Sequence, residues 1–400
     1  MHLRCGQSPS DPTTRGTSVS RFYFDWSNYV TMLRLLWRGA RSQRRWAPVA
    51  RFAVGVPLVA ALHALCFALD PLLFPALRRT EVRAPTFCIG HARSGTTYLH
   101  RLMAQDPQFS YALMYELFFP SLLEKKLLRL LFRVDAATGG RLRRRLDDIE
   151  EQVFAPTEYI HKTGFFVPEE DDAFLTWSLS SGFWIVAFPY MGELDFYHVD
   201  RWPDRKRLRM MAFYKECVRR QIALNGGGTH LSKNPTFCGR VETLIETFPD
   251  ARIIVSMRNP YETIPSLLKL MQTEWSLRGR DGRLIAGSLR VLADQSVHTY
   301  LHPLEVLTRH PEVRASVVDY RELVGAPSAT MHRVYDDLGF VVGPEADQAF
   351  TAAERRPGHE TAHRYSLAEF GLDPRDIHRR LAGLFDEYQW DNEEKDAHVS

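Results

Sequence analysis

Two short apolar runs stand out along the chain, and each is followed by a helical pattern. Thr86–Gly90 is apolar and ends in glycine, and residues 251–257 are rich in β-branched side chains. Such runs predict strands that are buried on both faces. Apolar residues then recur on one helical face over residues 97–105. Since helix follows strand in both places, the sequence predicts an α/β fold with three layers, a parallel sheet flanked by helices.

Other stretches carry helical patterns of different character. Residues 21–80 and 203–224 each read as helical, and residues 125–151 carry opposite charges three or four positions apart. That spacing is typical of a solvated helix. The acidic run 169–172 predicts the first turn of a further helix that continues through Trp177.

Residues 52–69 form an apolar run without formal charge, and six arginines precede it, at positions 34, 38, 41, 44, 45 and 51. A membrane-spanning helix needs about 20 apolar residues, so the run is borderline for that role. Two interpretations stay open. The run is either a buried helix that packs on the domain, or a monotopic segment whose arginines contact anionic headgroups. The second interpretation makes the protein peripheral on the cytoplasmic face of a membrane.

These patterns divide the chain into two predicted parts. Residues 1–80 comprise a polar tail over residues 1–20 and the helical, apolar segment. Residues 81–390 form the α/β domain. Within that domain, a helical insertion rich in aromatic residues is predicted over about residues 120–225.

Composition excludes several classes of protein. Hydrophobic residues make up 45% of the 400 residues and the formal net charge is only +3, which indicates a globular chain without a strong field for nucleic acid. The five scattered cysteines form no Cys-x-x-Cys pair, which disfavours a disulfide framework or a structural zinc site and favours a reducing, cytoplasmic compartment. The isolated histidines lack metal-ligand spacing, so no metal is predicted.

The segment between the first strand and its helix has the glycine spacing of a phosphate-binding loop, G-x-x-x-x-G, with Thr96 at the position of the usual lysine. Such a turn presents backbone N–H groups and the positive end of a helix dipole to an anion. The predicted anion-binding residues are Arg93, Ser94, Gly95, Thr96 and Thr97. Arg93 places a forked guanidinium inside the loop, which suits two oxyanions at once.

The second strand ends in Arg258, where a nucleoside triphosphatase needs a carboxylate to hold Mg²⁺. This difference argues against a P-loop nucleotide or small-molecule kinase, which stays an alternative. A non-catalytic nucleotide-binding relative is a second alternative. The site is therefore predicted to bind a phosphate-containing donor without a metal.

These motifs resemble those of the sulfotransferases that use 3′-phosphoadenosine 5′-phosphosulfate (PAPS). The sequence RSGTT after an apolar strand resembles their 5′-phosphosulfate loop, and Arg258 followed eight residues later by Ser266 resembles their 3′-phosphate site. The run LSKNP around Lys233 is similar to a segment of the tyrosylprotein and bacterial branches. Residues 363–372 are similar to a C-terminal segment of bacterial members.

The resemblance implies a sulfotransferase with PAPS as the co-substrate and a hydroxyl group as the acceptor. It implies Arg93 and Lys233 as the catalytic cations and Arg258 and Ser266 as donor-binding residues. It implies Glu116 as the base, because the tyrosylprotein branch has a glutamate at nearly this distance from the loop. A helix-capping role for Glu116 and an acceptor-side role for Glu170 stay open as alternatives.

The acceptor is predicted to be apolar. Residues 152–200 lie where this family usually shapes the acceptor side, and they are dense in phenylalanine, tyrosine and tryptophan. Apolar pockets with few polar groups are typical of small-ligand sites. The alternative is that these aromatic residues form the core of the insertion.

Overall fold

The computed structural model describes residues 22–43, 46–158, 164–355 and 365–390, and the predicted tail lies outside them. Five parallel strands form one sheet in the order β2-β3-β1-β4-β5. The strands are β1 Thr86–Gly90, β2 Phe109–Ser110, β3 Thr229–Lys233, β4 Arg252–Met257 and β5 Arg314–Asp319.

Helices cover both faces of this sheet. They are α1 Trp26–Gln43, α2 Ala47–Ala50, α3 Val56–Leu73, α4 Thr96–Met103, α5 Met114–Leu117, α6 Leu122–Ala137, α7 Arg141–Glu158, α8 Trp184–Ala187, α9 Asp204–Asn225, α10 Val241–Thr247, α11 Pro260–Leu277, α12 Gly282–Arg309, α13 Tyr320–Gly325, α14 Pro327–Leu338, α15 Pro344–Glu354 and α16 Pro374–Tyr388. Phe87 and Ile89 of β1 enter one apolar core, and Cys88 enters the other. Because side chains alternate along a strand, this pattern shows a sheet buried on both faces and confirms the predicted three-layer α/β fold.

One helical prediction is confirmed as two helices instead of one, and another is wrong. Residues 125–151 are split between α6 and α7, because Gly139 and Gly140 between them have positive φ angles of 101° and 66°. The acidic run 169–172 leads only into a short 3₁₀ turn, Asp171–Leu175, since its side chains bond to β3 and α9.

The parallel register brings three chain segments to one edge of the sheet. Cys88 of β1 pairs with Lys233, the last residue of β3, and Gly90 pairs with Ser256 near the end of β4. The loop after β1, the segment after β3 and the segment after β4 therefore meet at the carboxyl edge, where open α/β sheets bind ligands.

The N-terminal segment packs on the same core as the sheet. A π-helical turn, Arg51–Gly55, joins α2 to α3 in one continuous helix, Ala47–Leu73. By length and composition this helix could cross a membrane, but its inner residues Phe52 and Phe67 are buried in the core that contains Phe87. The division of the chain at about residue 80 stays a prediction.

A buried network of charged side chains, here called the anchor cluster, fastens this helix to α6 and α9. Asp70 accepts hydrogen bonds from Arg220 Nε at 2.7 Å, from the Ser121 hydroxyl at 2.9 Å and from the first backbone N–H groups of α6. Arg220 also donates to the Glu216 carboxylate at 2.9 Å. Beside these residues lie Glu116, Lys125, Arg129 and Gln221, which bond to one another and which we include in the anchor cluster.

Candidate active site

The loop between β1 and α4 has a backbone that few residues can adopt. Arg93 and Gly95 have positive φ angles of 75° and 95°. A Cβ atom on Gly95 would lie 2.4 Å from the ring of Tyr320, so only glycine fits there. The Ser256 hydroxyl of β4 donates to the Ser94 carbonyl at 2.7 Å and holds the loop against the sheet.

The donor set of this loop suits an anion. Thr96 begins α4, whose N-terminus carries the positive end of the helix dipole. Among the described residues, the Ser94 hydroxyl is buried and has no hydrogen-bond partner. A buried polar group of this kind usually has one, so Ser94 is available to a ligand oxygen.

Arg93, Ser266 and Arg258, which lie far apart in the sequence, meet beside the loop. Arg93 Nε donates to the Ser266 hydroxyl at 3.1 Å, and Arg258 Nη1 donates to the Arg93 carbonyl at 3.3 Å. Burial and the neighbouring charge of Arg258 lower the pKa of Arg93. Two adjacent guanidinium groups concentrate positive charge beside the loop, which suits a phosphate group.

Arg258 is held in place by its own helix and by a tyrosine. An asparagine followed by a proline is a typical helix start, and Asn259 caps α11, because its side chain accepts a hydrogen bond from Tyr261 N at 2.9 Å. Arg258 forms an ion pair with Glu262 at 2.6 Å and lies 4.3 Å above the ring of Tyr320. The guanidinium is therefore oriented before any ligand binds.

Lys233 is fully buried at the end of β3 and links the loop to a pair of carboxylates. Its Nζ atom donates to the Thr97 hydroxyl at 3.3 Å and lies 3.1 Å from Glu169 and 3.3 Å from Glu170. Burial alone would lower the pKa of Lys233, but the two carboxylates outweigh it and leave the pKa raised. We call Lys233, Glu169 and Glu170 the transfer cluster.

The two carboxylates differ in exposure. The Glu169 side chain is only 3% exposed, whereas the Glu170 side chain is 25% exposed. Desolvation raises the pKa of Glu170 and the Glu169 charge adds to this, although Lys233 counteracts it. Glu170 thus combines access to solvent with the raised pKa that favours a general base.

Asp171 fixes the acidic segment beneath these carboxylates. It accepts hydrogen bonds from Tyr214 at 2.6 Å, from His230 and Ser232 at 2.7 Å, and from the Asn234 amide. These bonds hold the pKa of Asp171 below its usual range despite burial. The four donors lie on α9, β3 and the residue that follows β3, so the sheet determines where Glu169 and Glu170 lie.

Glu116 lies in the anchor cluster. Its side chain is fully buried, forms an ion pair with Arg129 at 2.6 Å and accepts from Gln221 at 2.8 Å. It also accepts from Leu113 N at 3.2 Å, at the start of α5, rather than capping the helix after Pro120. The structure thus brings Arg93, Ser94, Ser266, Arg258, Thr97 and Lys233 together, and it places Glu116 among structural partners.

Sequence reasoning missed the part played by Tyr320 and interpreted Glu169 and Glu170 as a helix turn. Tyr320 follows β5, a strand whose polar first residues gave no clear signal. The acidic run itself was visible in the sequence. Its hydrogen-bond partners on β3 were not visible there, because contacts between residues about sixty positions apart are determined only by the fold.

Comparisons with known proteins agree with this geometry. Residues 85–342 match the model of the Sulfotransferase family. The chain is 26% identical over 323 residues to the omega-hydroxy-beta-dihydromenaquinone-9 sulfotransferases Stf3 of Mycobacterium bovis and Mycobacterium tuberculosis, covering 78% of this chain and 77% of each relative.

Two solved structures share the fold. Sulfotransferase STF1 from Mycobacterium tuberculosis H37Rv superposes with a TM-score of 0.67 at 22% identity, covering 90% of this chain and 94% of that one. Sulfotransferase STF9 from Mycobacterium avium gives a TM-score of 0.65 at 20% identity, covering 82% of each chain. With the family model matching more than half of its length, the chain belongs to the Sulfotransferase family, as its loop sequence predicts, and is an enzyme of sulfuryl transfer.

Proposed function

We propose that the protein transfers a sulfuryl group from PAPS to a hydroxyl group of an apolar acceptor, without a metal. The observation that carries this proposal is the position of Lys233. A buried lysine that contacts both the phosphate loop and a partly exposed carboxylate lies between a donor site and a base. This is the arrangement that an in-line transfer between two oxygen atoms requires.

The donor nucleotide is assigned to the two sides of the loop. The N-terminus of α4 and the side chains of Ser94, Thr96 and Thr97 suit the 5′-phosphosulfate. Arg258 and Ser266 suit the 3′-phosphate, with Arg93 between the two groups. Gly95 has no Cβ atom to collide with the ring of Tyr320, so the loop can keep the turn that presents its N–H groups.

When bound, the donor supplies an activated sulfuryl group whose bridging oxygen leaves on the 5′-phosphate. In that transfer the acceptor oxygen forms a new bond to sulfur, and the bond from sulfur to the bridging oxygen breaks. Lys233 and Arg93 stabilise the negative charge that develops on the departing oxygen. Loss of one such contact typically costs about 3 kcal/mol of transition-state stabilisation.

For the base we propose Glu170, which removes the proton from the acceptor hydroxyl. Its side chain is partly exposed and its pKa is raised, while Lys233 holds it beside the loop. Glu116, which the family resemblance suggests, stays the competing prediction. Its carboxylate is shared between Arg129 and Gln221, and the side chain has no exposed surface.

The proposal of an apolar acceptor rests on the relatives and on the acceptor-side segment. Two curated relatives are named for a menaquinone derivative, a lipid-like molecule with a hydroxyl group. In this chain Trp177 and Trp184 are partly exposed, whereas Phe174 and Phe196 are buried in the core. The aromatic residues therefore serve in part as core, and a subset is available to contact a ligand.

A lipid-like acceptor dissolves in a bilayer. We therefore propose that the protein is cytoplasmic and works as a peripheral protein on the cytoplasmic face of the membrane. Its partners are then a small hydroxylated molecule and lipid, with no nucleic acid. The proposed division into residues 1–80 and 81–390 follows the same logic, since the first part would contact the membrane and the second would carry the chemistry.

Two measurements test the function. Thermal unfolding is expected to shift upward with 3′,5′-adenosine bisphosphate and not with ATP, with or without Mg²⁺. Incubation with ³⁵S-labelled PAPS and a total lipid extract in excess chelator is expected to label a lipid. Stabilisation by ATP with Mg²⁺ alone would favour a kinase. A parallel incubation contains soluble sugars and peptides. Label found only in those molecules would refute the lipid acceptor but would still support sulfotransferase activity.

A further inference from the structure

Two neighbouring helices expose apolar stripes on their outer surfaces. Along Ala47–Leu73 the exposed large side chains recur every three or four residues, and a second set recurs along α6 in the same way. We call these residues the apolar plate, and they are Val54, Leu58, Leu62, Leu65, Leu72, Leu73, Leu127, Leu130, Leu131 and Val134. Soluble monomers rarely expose so many adjacent large apolar side chains without a binding partner.

The opposite face of the long helix is fixed to the protein by polar contacts. Asp70 belongs to the anchor cluster, and His63 contacts Glu124 of α6 at 2.6 Å. Lys126 of α6 lies 4.9 Å above the ring of Phe74, just beyond the helix. The two helices therefore present their apolar stripes side by side, while charged side chains hold their inner faces.

Exposed cationic side chains lie on and beside the two helices, and we call them the cationic rim. Within residues 46–79 and 122–134, the charged side chains that are exposed are Arg51, Arg78, Arg79, Lys126 and Arg133. The acidic side chains in these ranges do not offset this positive charge at the surface, since Asp70 is buried and Glu124 bonds to His63. Each lysine or arginine near an anionic membrane surface contributes about 1 kcal/mol to binding.

Exposed tryptophans flank one end of the plate. Trp37 and Trp46 are about half exposed and contact each other with ring centroids 4.8 Å apart. Trp26 is 64% exposed and packs edge-on against Tyr29, which in turn stacks on Phe52 of the long helix. Tryptophan prefers the boundary between hydrocarbon and headgroups, which is where these rings would lie.

We propose that the apolar plate binds the surface of an anionic phospholipid bilayer, with the helix Ala47–Leu73 lying in the membrane plane. Its outer side chains enter the boundary between headgroups and acyl chains, and the cationic rim contacts lipid phosphates. The helix does not span the bilayer, because spanning would carry Asp70 and its partner Arg220 into hydrocarbon or tear them apart. A second copy of the chain fits the plate less well, since it would bring two identical cationic rims together.

This orientation would bring lipid close to the acceptor-side segment. Phe52 on the inner face of the helix contacts Trp184 and Phe188, and His63 contacts Trp177. One helix, about 10 Å in diameter, thus separates the bilayer surface from that segment. The link to the acceptor rests on the proposed function, whereas the plate itself rests only on the exposed residues described above.

Vesicle flotation at low salt tests the plate. The full chain is expected to float with vesicles of phosphatidylcholine containing about one third phosphatidylglycerol, and much less with phosphatidylcholine alone. The double variant Leu58→Glu/Leu62→Glu should lower the partition coefficient at least about tenfold, because two exposed leucines no longer enter the lipid. Val341→Glu is the matched control, since Val341 is an exposed apolar residue on another part of the chain, and it should bind as the wild type does.

Several results would overturn this inference. One is wild-type protein that does not bind the vesicles at low salt, and another is a double variant that floats as the wild type does. A third is bound protein that resists extraction with alkaline carbonate, because that result would indicate a spanning helix. A dimer that dissociates in the double variant without any vesicle binding would assign the plate to self-association. Stabilisation by 3′,5′-adenosine bisphosphate is measured in parallel, so that a failed donor site and a failed membrane surface are told apart.

Discussion

The anchor cluster and the transfer cluster are both buried networks of charged side chains, and they are built differently. In the anchor cluster each oxygen of Asp70 accepts two hydrogen bonds, and Arg220 donates to four acceptor groups on Asp70, Glu216 and Phe67. In the transfer cluster Lys233 pairs with two carboxylates, of which Glu169 is buried and also pairs with Arg101 at 3.9 Å, whereas Glu170 is partly exposed. Asp70 and Arg220 thus use their hydrogen-bonding capacity within the protein, whereas Glu170 in the transfer cluster keeps an exposed side.

The difference separates a structural ion pair from a functional one by physical criteria. A buried ion pair whose members are fully hydrogen-bonded fixes the helices that carry it, because moving either member leaves a buried charge unpaired. A carboxylate that is partly exposed can exchange a proton with solvent or with a new partner. Glu116 belongs to the first kind and Glu170 to the second.

The largest expected effect is a loss of turnover, and it is tested by replacing one glutamate of each cluster with glutamine. Glu170→Gln should lower kcat by about 10²–10⁴-fold, because it removes the proposed base. Glu116→Gln should leave kcat within about tenfold and lower thermal stability instead, since it weakens the ion pair with Arg129. Steady-state turnover of labelled PAPS and a melting curve distinguish the two.

The opposite outcome would reverse the comparison. In that case folded Glu116→Gln protein binds 3′,5′-adenosine bisphosphate normally but loses turnover, while the Glu170→Gln protein retains turnover. Glu116 would then be the base, and partial exposure would not identify the catalytic carboxylate.

The next effect concerns stability. Arg220→Met should lower the free energy of unfolding by about 3–5 kcal/mol, because it leaves Asp70 as an uncompensated buried charge. The turnover of the remaining folded molecules should not change. Urea unfolding measures the loss, and Arg219→Met, which alters a more exposed partner of Glu216 on the same helix, should cost much less. Equal stability of the Arg220 variant and the wild type would show that the cluster does not anchor the helix.

A smaller effect is expected at the donor site. Arg258→Ala should raise the dissociation constant for 3′,5′-adenosine bisphosphate at least about tenfold, since a charged hydrogen bond contributes about 1.5–3 kcal/mol. Ser266→Ala should weaken binding less, because its hydroxyl is neutral. Arg309→Ala, which removes an exposed arginine paired with Glu242, is the control by calorimetry. Unchanged affinity in a folded Arg258 variant would remove the 3′-phosphate assignment.

The smallest expected effect is a displacement of the pH profile. A base acts when deprotonated, so kcat/KM falls as pH drops through the pKa of the free enzyme. Burial raises the pKa of Glu170, so the acidic limb should lie above the ordinary range of a glutamate. The residual activity of Glu170→Gln should lack this limb. An identical limb in that variant would mean that another group titrates.

The elements that the sequence predicts well are those with strong local signals. β1 is apolar throughout and ends in glycine, and the loop that follows needs a small set of residue types at fixed spacing. Asn259 caps its helix through neighbours only two residues away. In each case the interaction that decides the structure lies within a few residues, so a local pattern is sufficient.

The remaining parts depend on contacts between distant segments. β3 carries polar residues because His230 and Ser232 bond to Asp171, which hides the alternation typical of a strand. The aromatic ring of Tyr320 becomes part of the site only because β5 joins the sheet beside β4. Whether Glu116 or Glu170 faces the loop likewise depends on side-chain burial, which no spacing in the sequence encodes.

The pairing of β1 with β3 has a consequence for which changes in chain length the protein can tolerate. Because side chains alternate along a strand, one residue inserted within β3 would turn Lys233 to the opposite face of the sheet. The turn at residues 226–228, just before the strand, lies outside the sheet, and two of its three glycines have open space around them. Among homologous chains, insertions and deletions are therefore expected in that turn and not between Thr229 and Asn234.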